Sequence, residues 1–325
     1  MTFPANTLRR LVAMAVAVGS TAVLSGCGNG ATTSGSSGSL TLGFVNGDTS
    51  EFAHCLQTAV EQEAKAQGVS LNTANSQMDA GKELNNIEDM ISRNVDALVV
   101  QTVNIDSLEG DITRAKAANV PIYLTSVATD DVTGILGAAV VDLKKLGALD
   151  AGWIAKDAAG KQAKVGIIAG SPGAASDLMV SGFTQALPGN AKVVANQPGM
   201  FNPVKAQDVA ENMIEAHPDL DYAFVANEEM AFAVRKVFDA AGAKGVKIVT
   251  ENGTDKGLAA VKDGRFSATV ANSPKVIGEA AVKNTVVRIG DKNTADKNTA
   301  DKIARIPLTL ITKDNLDEAP QYCPK

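Results

Sequence analysis

Asn46, Ser50, Gln101, Ser126, Asn227, Asn252 and Asn272 are amides and hydroxyls that stand at or just after the ends of short apolar, β-rich runs. Such side chains donate and accept hydrogen bonds without carrying charge. Recurring at equivalent places along one chain, they describe a surface of neutral polar groups. Each also has a local structural use. Asn227 before Glu228 and Glu229 suits a helix N-cap, Asn252 before Gly253 a turn, and Asn272-Ser273-Pro274 a cap followed by proline at the first helical position. Two aromatics sit near the same places, Phe52 and Phe201. A flat ring there either lies against the C–H face of a sugar or polyol or is buried in a core.

The elements that must position these residues follow from periodicity. Runs at 42–46, 69–74, 97–101 and 121–125 read as strands, separated by amphipathic helical stretches such as 51–67 and 106–118, which end at Gly68 and at Asn119 ahead of Pro121. A second set of strands follows at 164–169, 191–196, 222–226, 247–250 and 268–271, again with helices between. The segment 134–141 with a helix over 143–159 carries the chain from the first set to the second, and a last strand spans 303–311. Alternation of this kind implies an α/β fold with two similar lobes built on parallel sheets. In such sheets ligands bind beyond the carboxyl ends of the strands, where the amides stand. The stretch "DKNTADKNTADK" at 291–302 repeats five residues and reads as a surface loop.

Residues 1–26 carry Arg9 and Arg10 followed by an uncharged run too short to span a bilayer, the pattern of an export signal. Leu24, Ser25, Gly26 and Cys27 resemble the bacterial lipobox, which implies cleavage before Cys27 and diacylglycerol on its thiol. The alternative is an ordinary secreted chain with an incidental cysteine. Residues 27–39 have no side chain worth burying and read as a flexible tether. Loss of the signal leaves 28 basic against 36 acidic residues, a balance that argues against nucleic acid. With Cys27 assigned to lipid, Cys55 and Cys323 remain, an even pair in an exported chain where disulfides persist; two free thiols are the alternative.

The stretches "EFAHCLQTAVEQEAKAQG", "VDALVVQ", "NVPIYLTS", "AGSPGAASDLMVSGF", "HPDLDYAFVANEEMA" and "KGLAAVKDGRFSATVANSPKVIGEAA" resemble, in order and spacing, the periplasmic sugar receptors of the ribose-binding type, the first structural class of periplasmic binding proteins. The resemblance implies two Rossmann-like lobes joined by three hinge strands, one lobe from 40–126 plus 273–308 and the other from 127–272 plus 309–325. It implies closure on a ligand and delivery to an ABC permease, by a monomer without cofactor or metal. It also implies stacking rings at Phe52 and Phe201 and ligand-binding amides at Gln101, Asn227 and Asn272; Ser50, from its place after the first strand, is expected to bind ligand at the same edge. Ser126 and Asn252 stand where the family has aspartates, and Met179 where it has arginine. The site has therefore lost charged groups, whose hydrogen bonds are about twice as strong as neutral ones.

An anion would need Arg or Lys, and none stands at these strand ends. A small neutral pentose, hexose or polyol is therefore the expected ligand. Asp48, Glu51 and Glu251 form an acidic rim, read as solvated surface; turned inward, they would suit an amine-bearing ligand. Catalysis is not expected. His54 and His217 are the only histidines, there is no triad, metal-ligand spacing or G-x-G-x-x-G, and "AGSPGAAS" lacks a P-loop lysine. A lactose-repressor-type regulator would need an N-terminal helix-turn-helix where this chain has an export signal. The expectation is a lipid-anchored receptor on the extracytoplasmic face of the cell membrane; the alternative is a sensory receptor serving a membrane signalling partner.

Overall fold

A computed structural model describes residues 40–290 and 302–325. The expected export signal at 1–26, Cys27, the expected tether at 27–39 and the repeat up to residue 301 lie outside the described residues. The first lobe begins with β1 (Thr41–Asn46), α1 (Glu51–Ala66), β2 (Ser70–Asn75), α2 (Ala80–Ser92), β3 (Ala97–Gln101), α3 (Glu109–Ala117), β4 (Ile122–Ser126) and β5 (Gly137–Val141). The second comprises α4 (Leu143–Ala158), β6 (Ala163–Ala169), α5 (Ala174–Ala186), β7 (Ala191–Pro198), α6 (Pro203–Ala216), β8 (Tyr222–Val225), α7 (Glu228–Ala240), β9 (Lys247–Asn252), α8 (Asp255–Asp263) and β10 (Ala268–Ala271). The chain then returns through α9 (Pro274–Gly290), β11 (Ile303–Ile306) and β12 (Thr309–Ile311).

The strands form two sheets, ordered β2-β1-β3-β4-β5-β11 and β7-β6-β8-β9-β10-β12. Every pairing is parallel except β12 on β10. The sequence demands this arrangement because the central strands are apolar on both faces. Leu42, Phe44 and Val45 of β1, and Ala223, Phe224 and Val225 of β8, are fully buried, so helices must cover both sides. Ser50, Asp79, Asp142, Asn202, Asn227 and Thr254 open their helices by accepting a first-turn N–H. Every parallel connection thus returns its turn-and-cap residues to the same sheet edge, which builds the site.

Two expectations are corrected. The run 303–311 is two strands in different sheets, because Pro307 has no N–H to give a ladder. Segments 127–141 and 309–325 do not belong wholly to the second lobe: past β12 the chain returns to the first, where Cys323 is bridged to Cys55 of α1. Gly137–Val141 pairs with β4 and with β11, filling the first sheet between them, so the chain crosses after Val141. The three crossings therefore lie between Val141 and Leu143, after Ala271, and at Pro307. On the second lobe α4 and α5 approach so closely that a side chain at Gly147 or Gly182 would collide with the other helix's backbone. On the first, Asn284 of α9 donates to the Tyr123 hydroxyl (3.0 Å).

Candidate functional site

One cleft between the lobes gathers Ser50, Phe52, Gln101, Ser126, Met179, Phe201, Asn227, Asn252 and Asn272, the residues expected to bind ligand. First-lobe groups come from the carboxyl ends of β3 and β4 and from the start of α1. Gln101 and Ser126 are the last residues of their strands. Gln101 Oε1 and Ser126 Oγ are buried with no hydrogen-bond partner among the described residues, and Ser126 sits at φ +67°. A non-glycine residue in that region costs of the order of 1–3 kcal/mol and is retained where the surroundings hold it, often at a ligand site. Ser50 Oγ accepts from Ala53 N (3.3 Å) as the cap of α1, leaving its own proton to donate. Phe52, one residue into that helix, is half-buried.

Second-lobe groups come from α4, α5 and α7, from the turn after β7 and from the end of β10. Asn227 caps α7, its Oδ1 accepting from Met230 N (2.8 Å), so the capping and site readings hold together because the amide has two ends. Met179 on α5 is 3% exposed and, with Leu143 at the head of α4, supplies an apolar wall. Phe201 projects from the turn after β7, where Met200 and Phe201 both have positive φ (61° and 50°). Its ring fills the space that any side chain at residue 170 would need, so Gly170 is required there. Asn272 donates to Glu251 Oε2 (3.3 Å), and its Oδ1 is buried and unpartnered.

Two of the seven polar strand-end residues behave differently. Asn46 does not line the cleft; it is 1% exposed and donates to Ala53 O (2.9 Å), tying β1 to α1. Asn252 does line it, at φ 135°, but its amide is engaged with protein: Nδ2 donates to the Tyr322 hydroxyl (3.0 Å) and Oδ1 accepts from Glu228 N (3.3 Å).

The acidic residues are not all rim. Asp48 and Glu51 are half-buried, whereas Glu251 is 6% exposed and forms part of the cleft wall, and burial pushes its carboxyl up to about 8. Glu228 is likewise raised by burial, to about 7. Its oxygens accept from Gly253 N, Thr254 N, Thr254 Oγ and Thr269 Oγ, so this carboxyl fastens the β9–α8 turn. Glu229 Oε2 accepts from Glu51 N (3.3 Å), a bond from one lobe to the other across the mouth. Among the described residues no Arg, Lys or His lines the cleft. Among the described residues no group of three or more His, Cys, Asp or Glu is placed to hold a metal ion.

A model of the periplasmic binding protein domain matches residues 42–292. This chain belongs to that family. The ribose import binding protein of Bacillus subtilis is 31% identical over 263 residues, covering 77% of this chain and 82% of its own. A xylitol-binding protein of Mycolicibacterium smegmatis is 27% identical over 307 residues, covering 92% and 84%. Among solved structures, the binding protein of an arabinose ABC transporter from a Shewanella species, bound to L-arabinofuranose, is 25% identical with a TM-score of 0.78, covering 85% of this chain and 93% of that one. A solute-binding protein from Bacillus halodurans with bound myo-inositol shares the fold at a TM-score of 0.80 and 24% identity, covering 87% and 98%. This periplasmic binding protein is therefore of the ribose-receptor type. Among its described residues, no helix is long and apolar enough to cross a membrane.

Tyr322, Leu143, Val127, Ala175 and Thr254 also line the cleft of this binding protein, and strand ends alone did not point to them. For Tyr322 the signal was the cysteine pair: a bridge joins Cys55 to Cys323, and Cys55 lies one turn beyond Phe52.

Proposed function

We propose that this chain is the lipid-anchored, monomeric solute receptor of an ABC importer, holding a small neutral sugar or polyol between its lobes and presenting the loaded form to a membrane permease. The observation that carries the reading is the set of unmatched polar atoms: Gln101 Oε1, Ser126 Oγ and Asn272 Oδ1 are buried in one cleft without partners among the described residues. A buried group left unsatisfied costs about 1–3 kcal/mol, so a ligand whose hydroxyls complete all three relieves a standing penalty. Phe52 and Phe201 supply faces for C–H groups, and the absence of a basic lining residue disfavours anions. Glu251, with its carboxyl raised to about 8, is neutral at pH 7 and able to donate to a ligand oxygen. The names of the relatives, ribose, xylitol and arabinofuranose proteins, support the same ligand class.

A thermal-shift screen of pentoses, hexoses and polyols beside amino sugars and polyamines tests the ligand class, because a ligand binding only the folded state raises Tm. The expected result is a shift with one or more neutral compounds. No shift with any carbohydrate, or shifts with amines alone, would overturn the reading. The anchor is tested by Cys27→Ala, which should move the protein from the membrane fraction to the soluble fraction. Loss of ligand uptake on deletion is expected of an importer's receptor.

A further inference from the structure

The segment that follows β12 has no strand and only one short 3-10 turn, Leu316–Glu318. Segments with so little secondary structure ordinarily fray unless tied down. Yet Tyr322 is 4% exposed and lines the ligand cleft. Its ring meets Phe52 edge-on, with centroids 6.5 Å apart and planes at 65°. Its hydroxyl accepts from Asn252 Nδ2 on the second lobe (3.0 Å), and the hydroxyl proton has no acceptor among the described residues.

What ties the segment down lies mostly on the first lobe. Cys323 is bridged to Cys55 of α1. At the start of α9, Ser273 Oγ donates to Gln321 O (2.7 Å) and Lys275 N to Tyr322 O (3.2 Å). The chain thus leaves the second sheet at β12 and runs onto the first lobe, a strap additional to the three crossings. Residues three apart on a helix share a face, so a bridge at Cys55 delivers its neighbour to Phe52.

We infer that Tyr322 is a specificity-determining wall of the cleft, donating its hydroxyl proton to the ligand, and that the Cys55–Cys323 disulfide is the positioning device that holds it there. The inference rests on the receptor reading above. It assigns a ligand-facing role to a residue outside the two α/β lobes' strand ends. It also explains why Asn252 is turned from the ligand toward protein: its amide orients the tyrosine.

A bridge closing so long a loop also stabilises the fold globally, so the test must read ligand choice as well as Tm. Calorimetric Kd values for xylitol, ribose and myo-inositol are measured on the wild type, Tyr322→Phe, Tyr322→Ala, the Cys55→Ser/Cys323→Ser double variant, and that double variant with Tyr322→Ala. Tyr322→Ala, which keeps the disulfide, is expected to weaken the best wild-type ligand about tenfold or more and to change the order of preference. Tyr322→Phe should keep the order with a smaller loss. The double serine variant should reproduce the altered order, and adding Tyr322→Ala to it should change Kd by less than about twofold, because both act through one side chain.

If the double serine variant does not fold, the wild type reduced with dithiothreitol replaces it. The reagent takes up the sulfur–sulfur bond as its own cyclic disulfide and leaves Cys55 and Cys323 as thiols. Unchanged Kd and preference in Tyr322→Ala, or in the unbridged protein with only a lower Tm, would overturn the inference alone. A wild type that binds none of the pentoses, hexoses and polyols of the thermal-shift screen would overturn the receptor reading and this inference with it.

Discussion

Phe201 occupies a turn whose backbone is costly to make: Met200 and Phe201 both lie in the left-handed region, at roughly 1–2 kcal/mol each for residues with a side chain. The ring so placed covers Gly170 and faces the cleft. Asp48, by contrast, spends its carboxylate on Ser50 N (2.5 Å), a local turn bond. Phe201→Ala should therefore weaken ligand binding about tenfold or more, and Asp48→Ala by no more than about threefold, in calorimetric titration. The reverse order would shift the site to the acidic rim. Ser126→Ala separates binding from folding more sharply. Its Oγ has no protein partner, so removal should leave Tm unchanged or slightly raised while weakening the ligand by the worth of one hydrogen bond, about 0.5–1.5 kcal/mol. At this scale the site was largely legible, because parallel strands return their end residues to one edge. Asn252 was not, since its amide is claimed by Tyr322 from a segment with no periodicity to place it.

Elements explain both what sequence periodicity revealed and what it hid. Strands such as Ala97–Gln101 and Ala268–Ala271 were readable to the residue because apolar runs bounded by turn signals leave no other burial pattern. The same double-sided burial concealed Glu251: in a strand covered on both faces, no alternation marks an acid as inward or outward. It stands at the carboxyl end of β9, near Asp150 of α4, whose two oxygens are fully buried without partners and whose carboxyl is held well above the usual range by burial and by Glu251. Glu251 is neutral in the folded protein at pH 7, and burial and the neighbouring Glu251 hold Asp150 toward its protonated form. Folding therefore retains protons that the unfolded chain releases above its ordinary value of 4.5, so stability falls as pH rises from about 4.5 to about 8. Glu251→Gln should flatten that fall, matching the wild type at the acid end and exceeding its Tm at pH 8 by about 5 °C in scanning calorimetry. Asp150→Asn should act in the same direction. An unchanged slope in both variants would mean that these carboxyls are ionised in the folded state.

A bond that neither lobe makes alone spans the mouth of the cleft. Glu229, at the start of α7, accepts from the backbone N–H of Glu51 at the start of α1, so a carboxylate of one lobe meets the positive end of a helix dipole on the other. Burial raises the Glu229 carboxyl, the Glu51 bond opposes that shift, and the nearby Glu51 and Asp48 carboxylates add to it. The contact is accordingly worth little more than the 0.3–1 kcal/mol typical of such pairs, a factor of about two to five in the closed population. That magnitude suits a receptor that must reopen: a stronger clasp would close the lobes without ligand and deprive the ligand of its differential contribution. Glu229→Ala should increase the radius of gyration of ligand-free protein in small-angle scattering while leaving that of the saturated complex unchanged, and should weaken Kd by about two- to fivefold. Glu229→Gln, which keeps an acceptor without the charge, should fall between. Equal radii for wild type and Glu229→Ala without ligand would assign closure to the hinge segments, and the Glu229 bond would then follow closure, not promote it.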